Sequence, residues 1–171
     1  MGSPLIDFSK PDAVLPWRAI DDRVMGGASL SRLRYDEAGH AVFEGEVSFD
    51  NGGGFASVRN AEFVIEPSDA DALLLDVCGD GKRYKINLRM DDGFDGINYQ
   101  TAFQPPAGEW SIILLPLADF APTFRGRMLA DAPALDASNV SQIGLMIGDR
   151  QQGPFRLACS RIRARPVPCE G

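Results

Sequence analysis

Two pairs of adjacent carboxylates are the residues of this sequence that best suit acid–base chemistry. They are Asp21 and Asp22 in DDRVMGG, and Asp91 and Asp92 in DDGFDG. Two acids that face each other across a cleft can hydrolyse a glycosidic bond, one as proton donor and one as base or nucleophile. Adjacent residues of a strand point to opposite faces, so each pair is expected to provide one buried and one solvated acid. A hydrolase based on paired carboxylates is therefore the third-ranked hypothesis.

Nucleophilic catalysis requires a general base, and the chain has one histidine, His40. It lies in the turn DEAGHAVF, distant in sequence from any nucleophile signature. The sequence predicts no catalytic residues and hence a protein that is not an enzyme.

Two glycine-rich segments begin like nucleotide-binding loops, but the residues that follow do not fit such loops. RVMGGAS lacks the Lys-Ser/Thr ending and the following helix of a phosphate loop, and GDGKRY runs into a strand, which predicts a tight hairpin. In DDGFDG, the carboxylates of Asp91, Asp92 and Asp95 are candidate calcium ligands, but the spacing and distal glutamate of an EF-hand are missing, so a plain turn is favoured. We expect no cofactor and no metal.

A row of polar side chains is predicted along one sheet face. Lys85, Asn87 and Arg89 alternate with apolar residues in YKINLRM, and Asn98 and Gln100 belong to the next strand. Planar amides and an arginine near Tyr99 or Trp110 would suit a sugar or a peptide. The alternative is an ordinary solvated face.

Composition restricts the partners. Acidic residues outnumber basic ones by 24 to 17, which gives a net charge of −7, so nucleic acid is not expected as a partner. No apolar run approaches the roughly 20 residues of a membrane span. The three cysteines are an odd, sparse set without a CxxC pair, which favours a reducing compartment. Cys78 and Cys159 are predicted to be buried and Cys169 exposed.

The elements that must position these residues are strands. Alternation is clear in YKINLRM, AVFEGEVSF and FRLACSR, and glycine-based turns separate the runs. The helical candidates, 116–120 and 136–140, are short. These patterns predict an all-β protein, an antiparallel β-sandwich or jelly roll, in a single domain over 1–171 with its core at about 5–165 and short tails.

Several ordered blocks resemble one family. They are Trp17 with DDRVMGGAS, FEGEVSFDNGGGFASVR, YKINLRMDDGFDGINYQTAF, GEW, FRGR and IGLMIGDRQQGPFRL. This set is similar to the complex I intermediate-associated protein 30 kDa family, assembly factors of NADH:ubiquinone oxidoreductase.

The resemblance implies a galactose-binding-like jelly roll that is similar to certain carbohydrate-binding modules and acts as a chaperone or scaffold. We therefore expect an assembly factor or chaperone for respiratory complex I or another multisubunit complex. Its partners would be proteins, either respiratory-complex subunits or assembly intermediates, with a carbohydrate as the alternative ligand. The resemblance provides no catalytic residues. Because no presequence is visible, the expectation is a bacterial relative in the cytoplasm that is peripheral to the inner membrane only through a partner.

The segment DDRVMGG is interpreted as a structural corner. Glycines 26, 27 and 52–54 would let two loops adopt positive φ angles, while Asp21, Asp22 and Arg23 hold backbone groups of those loops. The side chains of Asn51, Ser57 and Arg59 would then form a recognition patch on loops that the sandwich holds in place.

Overall fold

The computed structural model describes residues 5–19, 30–48, 54–66, 69–90, 96–124, 127–148, 151 and 153–165. These residues form thirteen strands and three short 3-10 helices. Strands β1 to β13 are, in order, Ile6–Asp7, Trp17–Ala19, Leu30–Asp36, His40–Val47, Ala56–Asn60, Ala72–Cys78, Tyr84–Arg89, Asn98–Phe103, Trp110–Pro116, Ala121–Phe124, Arg127–Met128, Gln142–Ile147 and Gly153–Arg165. The helices are Pro11–Val14, Leu117–Asp119 and Ala137–Asn139.

The strands form two antiparallel sheets. Sheet A has the order β3-β4-β13-β6-β9, and β1 also pairs with β13. Sheet B has the order β11-β10-β8-β7-β12-β5-β2. The all-β fold predicted from alternation and turn residues is confirmed.

The core lies between the two sheets and is built by alternation. Tyr84, Ile86 and Leu88 of β7 are fully buried, as are Leu73 and Leu75 of β6. Each such aliphatic or aromatic side chain contributes about 1.5 to 3 kcal/mol when it leaves water. The intervening residues of each strand therefore face outward, and these positions define the outer faces of the sheets.

One predicted turn is wrong. GDGK was expected to close a hairpin, but it connects β6 in sheet A to β7 in sheet B. Gly81 does adopt a positive φ of 87°. The chain thus turns where the residues indicate, but the strands on either side pair with other partners, because pairing depends on long-range contacts.

The two short helical candidates contain the 3-10 helices Leu117–Asp119 and Ala137–Asn139. Cys159 is 1% exposed, as predicted, and burial raises the pKa of its thiol to about 12. Cys78 is only half-buried, because its register position places it on the outer face of sheet A. Cys169 lies outside the described residues.

Candidate functional site

A row of outward positions crosses six strands of sheet B. The register pairs Arg18 with Arg59, Arg59 with Gly144, Gly144 with Asn87, Asn87 with Gln100, and Gln100 with Ala121. We call these six residues the central row. With neighbouring strands about 4.8 Å apart, the row is about 24 Å long.

The middle of the central row combines a bare backbone with two paired amides. Gly144 provides no side chain, and a Cβ there would lie 3.1 Å from the carbonyl oxygen of Val58. Gln100 Nε2 donates to Asn87 Oδ1 at 2.8 Å. Met146 Sδ lies 3.8 Å from Asn87 Nδ2 and 3.7 Å from Gln100 Nε2. The amides are therefore held side by side next to a buried glycine.

The structure brings most of the predicted polar face together. Neighbouring outward positions of the same face carry Ser57 opposite Met146, Met146 opposite Lys85, and Gln142 opposite Arg89. Arg89 and Gln142 are buried, at 4% and 2% exposure. Of the predicted residues, this face contains Ser57, Arg59, Lys85, Asn87, Arg89, Asn98 and Gln100.

Two aromatic residues expected beside this face lie elsewhere. Tyr99 is 1% exposed, its hydroxyl donates to the carbonyl of Pro133, and burial raises its pKa. Trp110 belongs to β9 of sheet A. The expectation that Tyr99 or Trp110 lies beside the amides is therefore wrong, because one ring points into the core and the other lies on the other sheet.

Seven predicted residues cannot be placed. Asp21, Asp22, Arg23, Asn51, Asp91, Asp92 and Asp95 lie outside the described residues. The corner and calcium hypotheses that rest on them stay predictions. Within the described ranges, no group of three or more His, Cys, Asp or Glu side chains could hold a metal ion.

A groove of about 730 Å³ lies where segment 132–137 meets β8 and β10, and two carboxylates line it. Asp71 accepts two hydrogen bonds from Arg165, which lower the pKa of Asp71. Asp136 accepts from the hydroxyl and the backbone N–H of Ser138, and its pKa is also lowered. Carboxyls that stay ionised are poor proton donors at neutral pH, so this groove does not support the hydrolase hypothesis.

Sequence reasoning missed Arg18, Gly144 and Met146. The signal was present in IGLMIG, where Gly144 and Met146 alternate with the buried residues Ile143, Leu145 and Ile147. The alternation identifies the outward positions, but only the register places Gly144 between Arg59 and Asn87 and Met146 between Ser57 and Lys85.

Comparison with known proteins identifies the family. Residues 6–159 match the family model of Complex I intermediate-associated protein 30 (CIA30). The chain belongs to the CIA30 family. The resemblance stated from the sequence blocks is therefore confirmed.

The relatives that this chain matches are distant in sequence. The Drosophila melanogaster mitochondrial complex I intermediate-associated protein 30 is 26% identical over 175 residues, which cover 90% of this chain and 59% of that protein. An uncharacterized Schizosaccharomyces pombe protein is 29% identical over 170 residues, covering 88% of this chain and 78% of that protein. The chain thus spans little more than half of the fly protein.

Among solved structures, a family 11 carbohydrate-binding module from Clostridium thermocellum, in complex with a β-1,3-1,4-mixed-linked tetrasaccharide, has the same fold. The TM-score is 0.69 at 16% identity, over 96% of this chain and 95% of that one. This likeness confirms a jelly-roll β-sandwich of the carbohydrate-binding-module type. Among the described residues of this CIA30 chain, no helix is both long and apolar enough to cross a membrane.

Proposed function

We propose that this CIA30-family chain is a non-catalytic, single-domain binding module that acts as an assembly factor or chaperone. In this proposal it holds an extended protein segment of respiratory complex I, or of one of its assembly intermediates, on the central row. Family membership supports the assembly role. In this proposal the chain lies in the bacterial cytoplasm and reaches the inner membrane only through its partner.

The hydrogen-bonded side-chain amides of Asn87 and Gln100 are the observation that best supports this proposal. Because Gln100 Nε2 donates to Asn87 Oδ1, Gln100 Oε1 is left as an acceptor and Asn87 Nδ2 as a donor with only a weak sulfur contact. A donor and an acceptor side by side complement the N–H and C=O of one residue of an extended segment, because these two groups point to the same side of the strand. Gly144 adds no side chain beside the amides, and the exposed Arg18 lies at the end of the row.

The same face is less suited to a sugar. Sugar-binding sandwiches use exposed aromatic rings as platforms. At the outward positions of sheet B that the structure describes, none of the residues is aromatic. A protein segment therefore fits the central row better than a glycan does.

The test is a native-gel separation of membranes and cytosol from cells that carry a tagged chain, with mass spectrometry of the co-migrating proteins. We expect the tagged chain to migrate with partial assemblies of NADH:ubiquinone oxidoreductase and to be absent from the mature enzyme. Gln100→Leu should reduce this co-migration about tenfold, the effect of losing one well-placed contact. Gln104→Leu changes an exposed amide off the central row and serves as the matched control.

Two results would contradict the proposal. One is a tagged chain that migrates at its own mass under conditions that preserve the assemblies. The other is calorimetric binding of the mixed-linked β-1,3-1,4 tetrasaccharide with a Kd below about 1 mM that is lost in Gln100→Leu, which would replace the protein segment by a sugar.

A further inference from the structure

Sheet A has a line of large apolar side chains exposed along its edge strand. On the outer face of β9, Trp110, Ile112 and Leu114 are 49%, 62% and 43% exposed. Leu74 of β6 lies opposite Leu114 and is half-buried. We call these four residues the β9 patch. Contiguous exposed apolar side chains of this size mark interaction surfaces in soluble proteins.

The indole at one end of the β9 patch is held in place. The ring centroids of Trp110 and His40 are 5.2 Å apart at an interplanar angle of 71°. β13 and β6 lie between these two strands, so the indole must cross the small side chains of Cys78 and Ala158. Ala158 is accordingly only 6% exposed although it faces outward. A Trp fixed against the sheet is a typical binding anchor, because little side-chain entropy remains to be lost.

A basic flank borders the β9 patch. Arg161 and Arg163 of β13 lie opposite Asp76 and Leu74, which in turn lie opposite Ile112 and Leu114. Both guanidiniums bind one carboxylate, that of Asp76, at 3.2 and 2.8 Å. Their side chains are 51% and 30% exposed. Asp7 of β1 lies opposite Arg161 on its other side, and Lys10 also interacts electrostatically with the Asp7 carboxylate. Three cations against two carboxylates leave a net positive charge at this flank, in a chain whose net charge is −7.

We propose that the β9 patch binds an amphipathic helix of a protein partner, with its apolar face on Trp110, Ile112 and Leu114 and an acidic flank toward Arg161 and Arg163. This proposal rests on the proposed protein-binding function and concerns the opposite sheet from the central row. It names the chemistry of a second contact with the partner.

The dimensions fit a helix. From Trp110 to Leu114 the strand extends about 13 Å, which equals roughly nine residues or two and a half turns of helix. β13 lies two strands from β9, about 10 Å away, which is the diameter of a helix. A helix that covers the β9 patch therefore places one flank over Arg161 and Arg163.

Other occupants fit the charges less well. A second copy placed face to face would bring two basic flanks together, and like charges repel. An anionic lipid surface would be repelled by the net charge of the whole chain.

The test uses Trp110 as the reporter, because the other tryptophan, Trp17, is 8% exposed. The probe is a synthetic 18-residue helical peptide without aromatic residues, with leucine along one face and glutamate on both flanks. A peptide with lysine in place of glutamate is the control. We expect the glutamate peptide to shift the emission to shorter wavelength and to protect it from acrylamide, and the lysine peptide to bind at least tenfold more weakly.

Substitutions on and off the β9 patch test whether the peptide binds there. Ile112→Glu should weaken binding of the glutamate peptide at least tenfold, whereas Val64→Glu, at a position 63% exposed, should not. Arg161→Gln should weaken it about threefold and reduce its salt dependence, unlike Arg32→Gln at another exposed ion pair of sheet A.

Any of four results would overturn the proposal: equal binding of the two peptides, an unchanged affinity of Ile112→Glu, protection by phosphatidylglycerol vesicles but not by peptide, or an Ile112-dependent dimer in sedimentation without peptide. The peptide assay contains no complex I component, and Gln100→Leu should leave it unchanged. Its failure therefore leaves the proposed assembly function standing, and the reverse also holds.

Discussion

Gly45 lies so close to the backbone of the neighbouring strand β3 that no side chain fits at this position. It lies in β4 opposite Ser31 of β3. A Cβ at this position would lie 2.0 Å from the carbonyl oxygen of Leu30 and 2.8 Å from its carbon. Both are backbone atoms, so no side-chain rotation relieves the overlap, and the two strands would have to separate.

Gly45→Ala is expected to lower the free energy of unfolding by about 3 kcal/mol or more, because it breaks the pairing of β3 with β4. Urea denaturation followed by circular dichroism measures the change. Gly148→Ala is the matched control: the nearest atom to its Cβ is 3.7 Å away, and the cost should stay within about 1 kcal/mol. Equal losses in the two variants would show that crowding at β3 is not the cause.

For single residues, alternation predicts well which side chains share a face of a strand, but it does not predict which residues from other parts of the chain lie beside them. It groups Lys85, Asn87 and Arg89 on one face, as the structure does. It also separates Tyr99 from Gln100, yet Tyr99 was expected beside the amides. A buried tyrosine is stable when its hydroxyl finds a partner, and here the partner is the carbonyl of Pro133, 34 positions away, which no local pattern indicates.

Among the connections between elements, the segment from β6 to β7 is held by one carboxylate. Asp80 Oδ1 accepts from the backbone N–H of Lys82 at 3.1 Å and from the hydroxyl of Tyr84 at 3.0 Å. Its Oδ2 accepts from the backbone N–H of Arg156 at 2.8 Å. Burial and the Asp80 carboxylate raise the pKa of Tyr84, so its hydroxyl remains a donor. Asp80 thus links β13 of sheet A to β7 of sheet B.

Asp80→Ala is expected to cost about 2 to 4 kcal/mol, because it leaves a buried hydroxyl and two backbone N–H groups without their charged acceptor. Thermal and urea unfolding measure the loss. Asp131→Ala, at an exposed position, should change stability by less than about 0.5 kcal/mol. If Asp80→Ala unfolded at the wild-type urea concentration, Asp80 would not be the link between the sheets.

This connection also shows why elements are easier to predict than their pairing. Gly79, Asp80 and Gly81 correctly indicate a change of chain direction, and the strands on both sides are where the apolar run ALLLDVCG and the alternation in YKINLRM predict them. A hairpin and a crossing between sheets use the same turn residues, however. The choice depends on β13 and β9 taking the two edges of β6, and these strands lie far away in sequence.

For the whole molecule, the shifted carboxyls determine the response to acid. The pKa values of Asp7, Asp36, Asp71 and Asp136 are lowered mainly by hydrogen bonds that their carboxylates accept. In Glu44, partial burial raises the pKa, but hydrogen bonds from Arg34 and Arg32 outweigh it and lower the value. At acid pH the folded chain therefore binds fewer protons than the unfolded chain.

Because the folded pKa values are lowered, these groups contribute stability above the unfolded values of about 3.9 to 4.3, and the contribution is lost as pH falls through the folded values. The urea midpoint should be nearly constant from pH 7 to pH 5 and should fall steadily below about pH 4. Asp71→Asn should lose less of its stability between pH 5 and pH 2 than the wild type. A midpoint that rises on acidification would contradict this sign.

The place of β13 in sheet A has a consequence for how the chain is made. Its thirteen residues pair with β4 on one side and β6 on the other, so without β13 sheet A is two separate antiparallel pairs, β3 with β4 and β6 with β9. About 105 residues separate Val47, the end of β4, from Gly153, the start of β13. At about 5 to 20 residues per second, β4 waits some 5 to 20 seconds on the ribosome for its central partner. A chain proposed to assist the assembly of other proteins therefore leaves Phe43 and its apolar neighbours without their central strand until its own synthesis is nearly complete.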